Sequence, residues 1–325
     1  MKKIVKIKFV DFWKGFNEEK NIFINILNTK YEILISDNPD YIIYSCFGNK
    51  HLKYNCIRIF YTGENIQPDF NICDYAIGYS YIKFEDRYIR FPLYLLNMYR
   101  EDYYKALNKD NLNLSDIEFK NKFCNFIYSN SNANPFRDKL FKAINKYKKV
   151  DSGGKHLNNI NNTNISNKYK FQKHYKFSIA CENSTTIGYT TEKIVQAFAA
   201  KTIPIYWGDP NISKEFNSKA FINCHDYSSF DQVLDKIKLL DNNDDLYLQM
   251  INEPVFTENQ LKNQNNIENN IEKFLYNIFN QPVKKAFRRE RFCKGKRYTD
   301  ILKKQILAYK LLKMPLKIIT KLFKD

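Results

Sequence analysis

The chain has 325 residues, 44% hydrophobic and 16% aromatic, enough core-forming material for two ordinary domains and too much for a disordered polymer. Its formal charge of +17 suggests a polyanion binder until the charge is located: 15 Lys and Arg against three acids between Gln281 and Asp325 put +12 in the tail and about +5 elsewhere. No window approaches eighteen uninterrupted apolar residues, and the N-terminal MKKIVKIKFVDFWKGF alternates like a strand without a small-residue cleavage site, so a cytoplasmic protein that does not cross the membrane is expected.

In chain order, short apolar runs at Ile4–Val10, Tyr31–Ile35, Tyr41–Ser45, Ile57–Tyr61 and Tyr75–Gly78 read as strands, with a helical candidate near Glu18–Leu27. The polar stretch Asp110–Lys122 reads as a passage into a second α/β half. That half begins with the strand FCNFIYSN at Phe123 and a helix over Pro135–Tyr147. Gly153–Lys168 is an Asn-rich loop that reads as a surface insertion, or as a mobile cover over a ligand. A buried strand at Tyr175–Ala180, a polar turn at Glu182–Gly188, a helix at Thr191–Ala200 with Ile194, Val195 and Phe198 inward, and a further helix at Ser229–Leu240 complete this half. Two successive α/β domains are the simplest architecture, with ligands at the carboxyl ends of the strands.

From Val283 the character changes: Ile301, Ile306, Leu307, Leu311, Leu312, Ile318, Ile319 and Leu322 recur at helical spacing among lysines. Such a stretch can lie on an anionic membrane surface or pack on the body, and Pro315 is expected to break it. No nucleic-acid reading motif or base-stacking platform accompanies the charge, so nucleic acid is not an expected partner.

Seven cysteines, Cys46, Cys56, Cys73, Cys124, Cys181, Cys224 and Cys293, are scattered without a CxxC pair and read as reduced thiols, with no metal site. Asp37 and Asp40, and the acids between Asp241 and Asp245, read as solvated turns. Cys224, His225 and Asp226 fall where a strand should end. Trp207 reads as a packing residue, and Gly208 with Asp209 as a turn.

Tyr189, Glu192 and Lys193 stand at i, i+3 and i+4, so they can share one face at the start of the helix. There a carboxylate can accept from a ribose diol while an ammonium neutralises phosphate; an ordinary surface pair fits the same spacing. Glu64, in YTGEN after the apolar strand, can project at that strand's carboxyl end, or simply cap the turn.

The segment ENSTTIGYTTEKIVQAF from Glu182, followed by TIPIYWGDPNISKEFNSKAFINCHD from Thr202, closely resembles the donor-binding motif of bacterial α-1,3/4-fucosyltransferases, glycosyltransferase family 10. FYTGENIQPDFNICDYAIGYSY from Phe60, DRYIRFPLYL from Asp86, and YSNSNANPFRDKLFKAINKY from Tyr128 with the pair Gly153–Gly154 resemble further blocks of that family in the same order. The likeness covers roughly Ile57 to Tyr227.

The resemblance implies an α/β GT-B fold: two Rossmann-like domains facing a central cleft, plus the basic amphipathic tail. Residues 1–117 would form the acceptor-binding domain, 118–262 the donor domain, and 263–325 C-terminal helices with a membrane-associating tail. It implies an inverting transfer of L-fucose from GDP-β-L-fucose to a GlcNAc or lactosamine-type glycan, in α-1,3 or α-1,3/4 linkage, in surface glycan synthesis such as lipopolysaccharide at the inner membrane face. The same fold acting on another GDP-sugar or acceptor is the alternative. By match to the motifs, Glu64 is the general base and Arg137 and Lys193 contact the diphosphate. Glu192 holds the ribose hydroxyls, Tyr189 and Asn183 contact the donor, and Asn65 beside Glu64 orients the acceptor or the base; Trp13, whose aromatic face suits the apolar side of a pyranose, can stack on an acceptor sugar. No cofactor is implied; Mn2+ or Mg2+ can stimulate such an enzyme without a protein ligand set.

Overall fold

The protein, a computed structural model, is described over residues 2–161, 165–290 and 294–322. Cys293 and residues 162–164 of the Asn-rich loop lie outside the described residues, as do the side chains of Pro315, Ile318, Ile319 and Leu322. The chain packs as two units, Met1–Gly78 with Ile82–Ile89 and Asn270–Asp325, and Tyr79–Tyr81 with Arg90–Asn269.

The first unit contains strands β1 (Lys3–Val10), β2 (Tyr31–Ile35), β3 (Tyr41–Tyr44), β4 (Ile57–Tyr61), β5 (Tyr75–Gly78) and β6 (Tyr88–Arg90), in sheet order β2-β1-β3-β4-β5-β6. From β2 to β5 every pairing is parallel, for example Ile43 opposite Ile59 and Ile59 opposite Tyr75. β3, β4 and β5 are buried at every residue, as interior parallel strands covered on both faces must be. Helix α1 spans Ile22–Lys30, four residues later than its apolar spacing predicts. Asn17 Oδ1 accepts from the amides of Glu19 and Lys20, and Asn21 then caps the helix by accepting from Ile24 N at 3.0 Å.

The second unit begins with α2 (Arg100–Leu107) and α3 (Leu114–Glu118), followed by β7 (Lys122–Phe126), α4 (Pro135–Tyr147), β8 (Val150–Ser152), α5 (Lys168–Gln172), β9 (Tyr175–Cys181), α6 (Glu192–Ala199), β10 (Ile203–Trp207), β11 (Ile222–Asn223), α7 (Phe230–Asp241) and α8 (Asp244–Asn252). Its sheet runs β11-β10-β9-β7-β8, all parallel. Phe126, Phe177, Ile179, Ile203 and Ile205 form its core with Leu140 of α4 and Ile237 of α7. Pro at the first position of α4 costs nothing, because that amide has no intrahelical partner. Three helices end the chain: α9 (Glu258–Asn280), α10 (Val283–Ala286) and α11 (Gly295–Leu322).

Packing divides the chain differently from the boundaries at 117 and 263. Residues 90–117 join the second unit because Tyr103 and Ala106 of α2 are buried there and Gln196 of α6 donates to Asp102 Oδ2 at 3.0 Å. Residues 270–290 join the first, where Phe279 lies 4.4 Å from the Tyr41 ring and Lys3 Nζ donates to its carbonyl. Polarity marks exposed turns, whereas the buried face of an amphipathic helix decides which core it enters.

Two expectations for the tail are also revised. Its backbone is helical through position 315 rather than broken there. Arg288 and Arg289 are not tail charges: Arg289 is buried against Asp74, and Arg288 pairs with Asp86 at 2.6 Å.

Candidate active site

At the carboxyl edge of the second sheet, the strands end in loops that carry polar groups into α4 and α6. The loop after β7 leads to Asn134, whose side chain accepts from Phe136 N and whose amide donates to Asn183 O at 2.8 Å. This bond ties the start of α4 to the turn after β9, and so brings Arg137 and Asn183 into one neighbourhood. Arg137 is 1% exposed. Its Nη2 donates to Asn130 O at 2.7 Å, Nε approaches Asp138 at 3.4 Å, and the guanidinium lies 4.5 Å from the Tyr128 ring centre. Among the described residues, Nη1 has no hydrogen-bond partner. A buried guanidinium with an unspent donor fits an anionic oxygen.

Glu182, one residue past β9, is fully buried. It accepts from Thr191 N (2.7 Å), Thr191 Oγ1 (2.7 Å) and Lys193 Nζ (2.8 Å). This carboxylate was not among the residues expected from the motif; its signal is an acid directly after a buried strand. It sets the position of Lys193, whose Nζ also donates to Thr191 Oγ1 and lies 3.8 Å from Glu192 Oε1. Burial pushes the Lys193 ammonium down, but Glu182 and Glu192 outweigh it and the pKa rises. Burial likewise raises Glu192, and the charges of Lys193 and Lys168 reverse this, so it is held below its ordinary value. The pair is therefore ionised at neutral pH, the state in which an acid can accept from hydroxyls and an ammonium can face phosphate.

Glycine is required twice here. A Cβ on Gly208 would stand 2.4 Å from Glu182 Cγ, so only glycine leaves room for that carboxylate. Gly188 has φ +84°, and a Cβ there would meet Tyr79 O at 2.8 Å. Tyr189 beside it is buried, edge-on to Tyr79 at 5.1 Å. Arg90 donates to Gly188 O at 3.3 Å and pairs with buried Glu215, which also accepts from Tyr81 (2.8 Å) and Tyr94 (3.0 Å). This network braces the Gly188 turn from segments distant in sequence.

Trp207 is a packing residue, stacked on Phe136 at 4.5 Å and near-parallel to His225 at 5.9 Å. His225 Nε2 lies 3.2 Å from Gly208 O. Asp241 is not a solvated turn: its side chain is 3% exposed and meets Tyr147 (3.0 Å) and Lys148 (3.1 Å), because the end of α7 packs on α4. Among the described residues no three His, Cys, Asp or Glu side chains gather as a metal site. A cavity of about 880 Å³ along α4 and α7, lined by Phe136, Lys139, Lys142, Tyr227 and Phe230, includes none of Arg137, Glu192 and Lys193.

In the first unit, Glu64, Asn65 and Trp13 follow β4 and β1 at the carboxyl edge of that sheet. Thr62 Oγ1 accepts from Glu64 N at 3.0 Å and lies 3.2 Å from Glu64 O, fixing the turn while leaving the half-buried residue at the strand end. Trp13 packs edge-on to Phe12 (5.5 Å), Phe16 (5.2 Å) and Phe47 (6.3 Å), and Phe12 stacks on Tyr61 at the end of β4. Beside them, Asp11 accepts from His51 Nδ1 and from the amides of Lys50 and His51, which anchors the loop after β3.

Two parallel α/β units, one ending in a cation-and-carboxylate edge suited to a nucleoside diphosphate, define the GT-B class of glycosyltransferase folds. The chain belongs to glycosyltransferase family 10. Residues 7–97 match the alpha-(1,3)-fucosyltransferase FucT N-terminal domain, and 117–268 match the C-terminal part of glycosyltransferase family 10 (fucosyltransferase). The chain is 36% identical over 287 residues to alpha-(1,3)-fucosyltransferase FucT of Helicobacter pylori, across 77% of this chain and 60% of that one. It is 31% identical to a putative fucosyltransferase of Acanthamoeba polyphaga mimivirus, across 68% of this chain and 37% of that one. A crystal structure of an alpha1,3-fucosyltransferase with GDP-fucose superposes with a TM-score of 0.69 at 30% identity, covering 85% of this chain and 91% of that chain. The chain thus spans three fifths or less of the two full-length relatives and nearly all of the crystallised one.

Proposed function

We propose that the protein transfers L-fucose from GDP-β-L-fucose to a hydroxyl of a GlcNAc or lactosamine-type glycan, with inversion and in α-1,3 linkage. The observation that carries this reading is the buried Arg137, with Nη1 unspent among the described residues, in the unit that also holds the ionised Glu192 and Lys193 pair. Glu64 removes the proton of the acceptor hydroxyl as its oxygen attacks the anomeric carbon from the face opposite the diphosphate. The bond from that carbon to the β-phosphate oxygen breaks, and GDP leaves with the electron pair. Arg137 and Lys193 stabilise the charge developing on the departing oxygen, a role a divalent ion can fill elsewhere. Glu192 accepts from the ribose hydroxyls, while Asn183 and Tyr189 position the donor and Asn65 and Trp13 the acceptor. No covalent enzyme intermediate is required, and Mn2+ or Mg2+ would act on product release.

We also propose a location, on the tail's exposed apolar residues. No described helix is long and apolar enough to cross a membrane, but α11 exposes Leu307 (59%), Leu311 (54%) and Leu312 (73%) among lysines. This supports peripheral contact with an anionic membrane through α11, at the inner face where a lipid-linked surface glycan such as lipopolysaccharide is assembled. The test is a panel of GDP-sugars with a lactosamine acceptor, following GDP release and the linkage of the product. GDP-fucose turnover with an α-1,3 product supports the reading. Turnover only with another GDP-sugar replaces the donor, and hydrolysis without transfer replaces the acceptor.

A further inference from the structure

At the edge of its sheet opposite to Glu64, the first unit buries Arg58 and Arg289 beside one buried carboxylate, while a third buried arginine, Arg87, donates to backbone carbonyls. Asp74, just before β5, is 0% exposed, and its oxygens are fully used. Oδ1 accepts from the amides of Arg288 (2.7 Å) and Arg289 (2.8 Å), and Oδ2 from Arg58 N (2.8 Å) and the Arg289 guanidinium. Arg58, 2% exposed, is left with neutral acceptors for its side chain: Tyr54 O at 3.1 and 2.9 Å, Ile72 O at 3.3 Å and Thr299 Oγ1 at 3.2 Å. Burial, and then the charge of Arg289, lower its pKa to about 10, the response of a guanidinium short of counter-charge.

These two guanidiniums line a cavity of about 330 Å³ between the start of β4 and the first turns of α11. Its exposed rim carries Lys53, Lys296 and Lys303, and among the described residues none of the three has a carboxylate within 4.0 Å. Glu290 and Asp300 are the acids of the lining, against five cations. A buried charge is tolerated when an anion supplies what the protein lacks, and guanidinium forks favour an anion with several oxygens in fixed geometry.

We infer that this cavity is a binding site for a phosphate group, carried either by a lipid headgroup or by a free phosphate, distinct from the diphosphate-binding edge of the second unit. Two of the rim lysines, Lys296 and Lys303, sit on the first turns of α11, which continues into its amphipathic part, so a headgroup phosphate can enter as that helix lies on a membrane. A soluble phosphate can use the same donors. The site does not depend on the transferase reading, which concerns other residues.

The test uses the full chain with excess GDP present, so that the diphosphate-binding residues are occupied. Inorganic phosphate is titrated by calorimetry into the wild type, into Lys53→Ala, Lys296→Ala and Lys303→Ala combined, and into a charge-matched control, Lys294→Ala, Lys304→Ala and Lys310→Ala combined. All six are exposed, so both variants should fold where replacement of Arg58 or Arg289 would not. Saturable binding is expected, weakened at least about tenfold by the rim variant and less than about twofold by the control. No saturable binding, or equal losses in the two variants, overturns the inference. Co-sedimentation with phosphatidic acid vesicles against phosphatidylcholine vesicles then separates the sources. Selective loss of vesicle binding in the rim variant assigns the lipid headgroup, and equal vesicle binding beside selective loss of inorganic phosphate assigns a soluble ligand. Fucose transfer by the rim variant, measured in parallel, should match the wild type; absence of transfer in the wild type would bear on the proposed reaction and not on this site.

Discussion

The carboxyl edges of the two sheets share a topology but differ in how firmly the fold fixes their charged groups. In the second unit, Glu182 and Arg137 are buried, the Lys193 side chain is 13% exposed, and their hydrogen bonds come from neighbouring loops. In the first unit, Glu64 is half-buried on a turn held by Thr62 and by the Ile66 amide, which donates to Glu64 O at 2.7 Å. On the proposed reading the second edge holds a diphosphate, and such a group gains from being fixed in advance with its charge settled. On the same reading Glu64 is a base, which must reach a hydroxyl and give up its proton again, so an open position serves it better.

The sharpest way to break the comparison is to remove the support in the second unit. Glu182→Ala leaves the mostly enclosed Lys193 without its main counter-charge and should cost about 3–5 kcal/mol in denaturant unfolding, with GDP binding weakened in parallel. Unchanged stability would show that the carboxylate is not what holds that edge. Glu64→Gln tests the opposite case: stability and GDP-fucose binding should stay near wild type, while the transfer rate falls by at least about a hundredfold. Full turnover in this variant would remove Glu64 from the reaction.

Arg137→Lys keeps the charge and loses the fork, so donor KM should rise about tenfold with little change in unfolding. A change confined to stability would make Arg137 a packing residue. The smallest effect is expected at Asp11. Burial alone would raise its carboxyl, but the His51 ring and the His51 and Lys50 amides outweigh it and hold it below the ordinary value. Its stabilisation is therefore complete above the unfolded value of about 3.9 and is lost as pH falls through the folded one. Asp11→Asn should flatten the acid limb of the stability profile, as followed by circular dichroism against pH; an unaltered limb would place the acid sensitivity elsewhere.

Much of this was legible in the residues. The strand, turn and helix from Tyr175 to Ala199 stand where apolar spacing puts them, and Glu192 and Lys193 do share the start of α6. Trp207 packs, as its place between a strand and a Gly-Asp turn suggests. Helix α1 starts late because Asn21 competes as a cap, and capping depends on side-chain geometry that hydrophobic spacing does not report. Asp241 reads as part of a solvated acidic run, yet Tyr147 at the end of α4 and Lys148 just beyond it reach it from almost a hundred residues away. The basic tail looked uniform, whereas Arg288 and Arg289 are drawn into the first unit by Asp74 and Asp86.

By itself, the sequence determined the alternation of strands and helices, and with it the loops at strand ends where charged residues can reach a ligand. Apolar periodicity is local, and each element must bury its own face. Only the tertiary structure decided which charges are settled. It gave Glu182 to Lys193, gave Asp74 to Arg289 while leaving Arg58 with neutral acceptors, and sent residues 90–117 and 270–290 into cores that their polarity did not indicate. A buried charge is stabilised by partners that the fold brings from distant segments, and no local pattern encodes those distances.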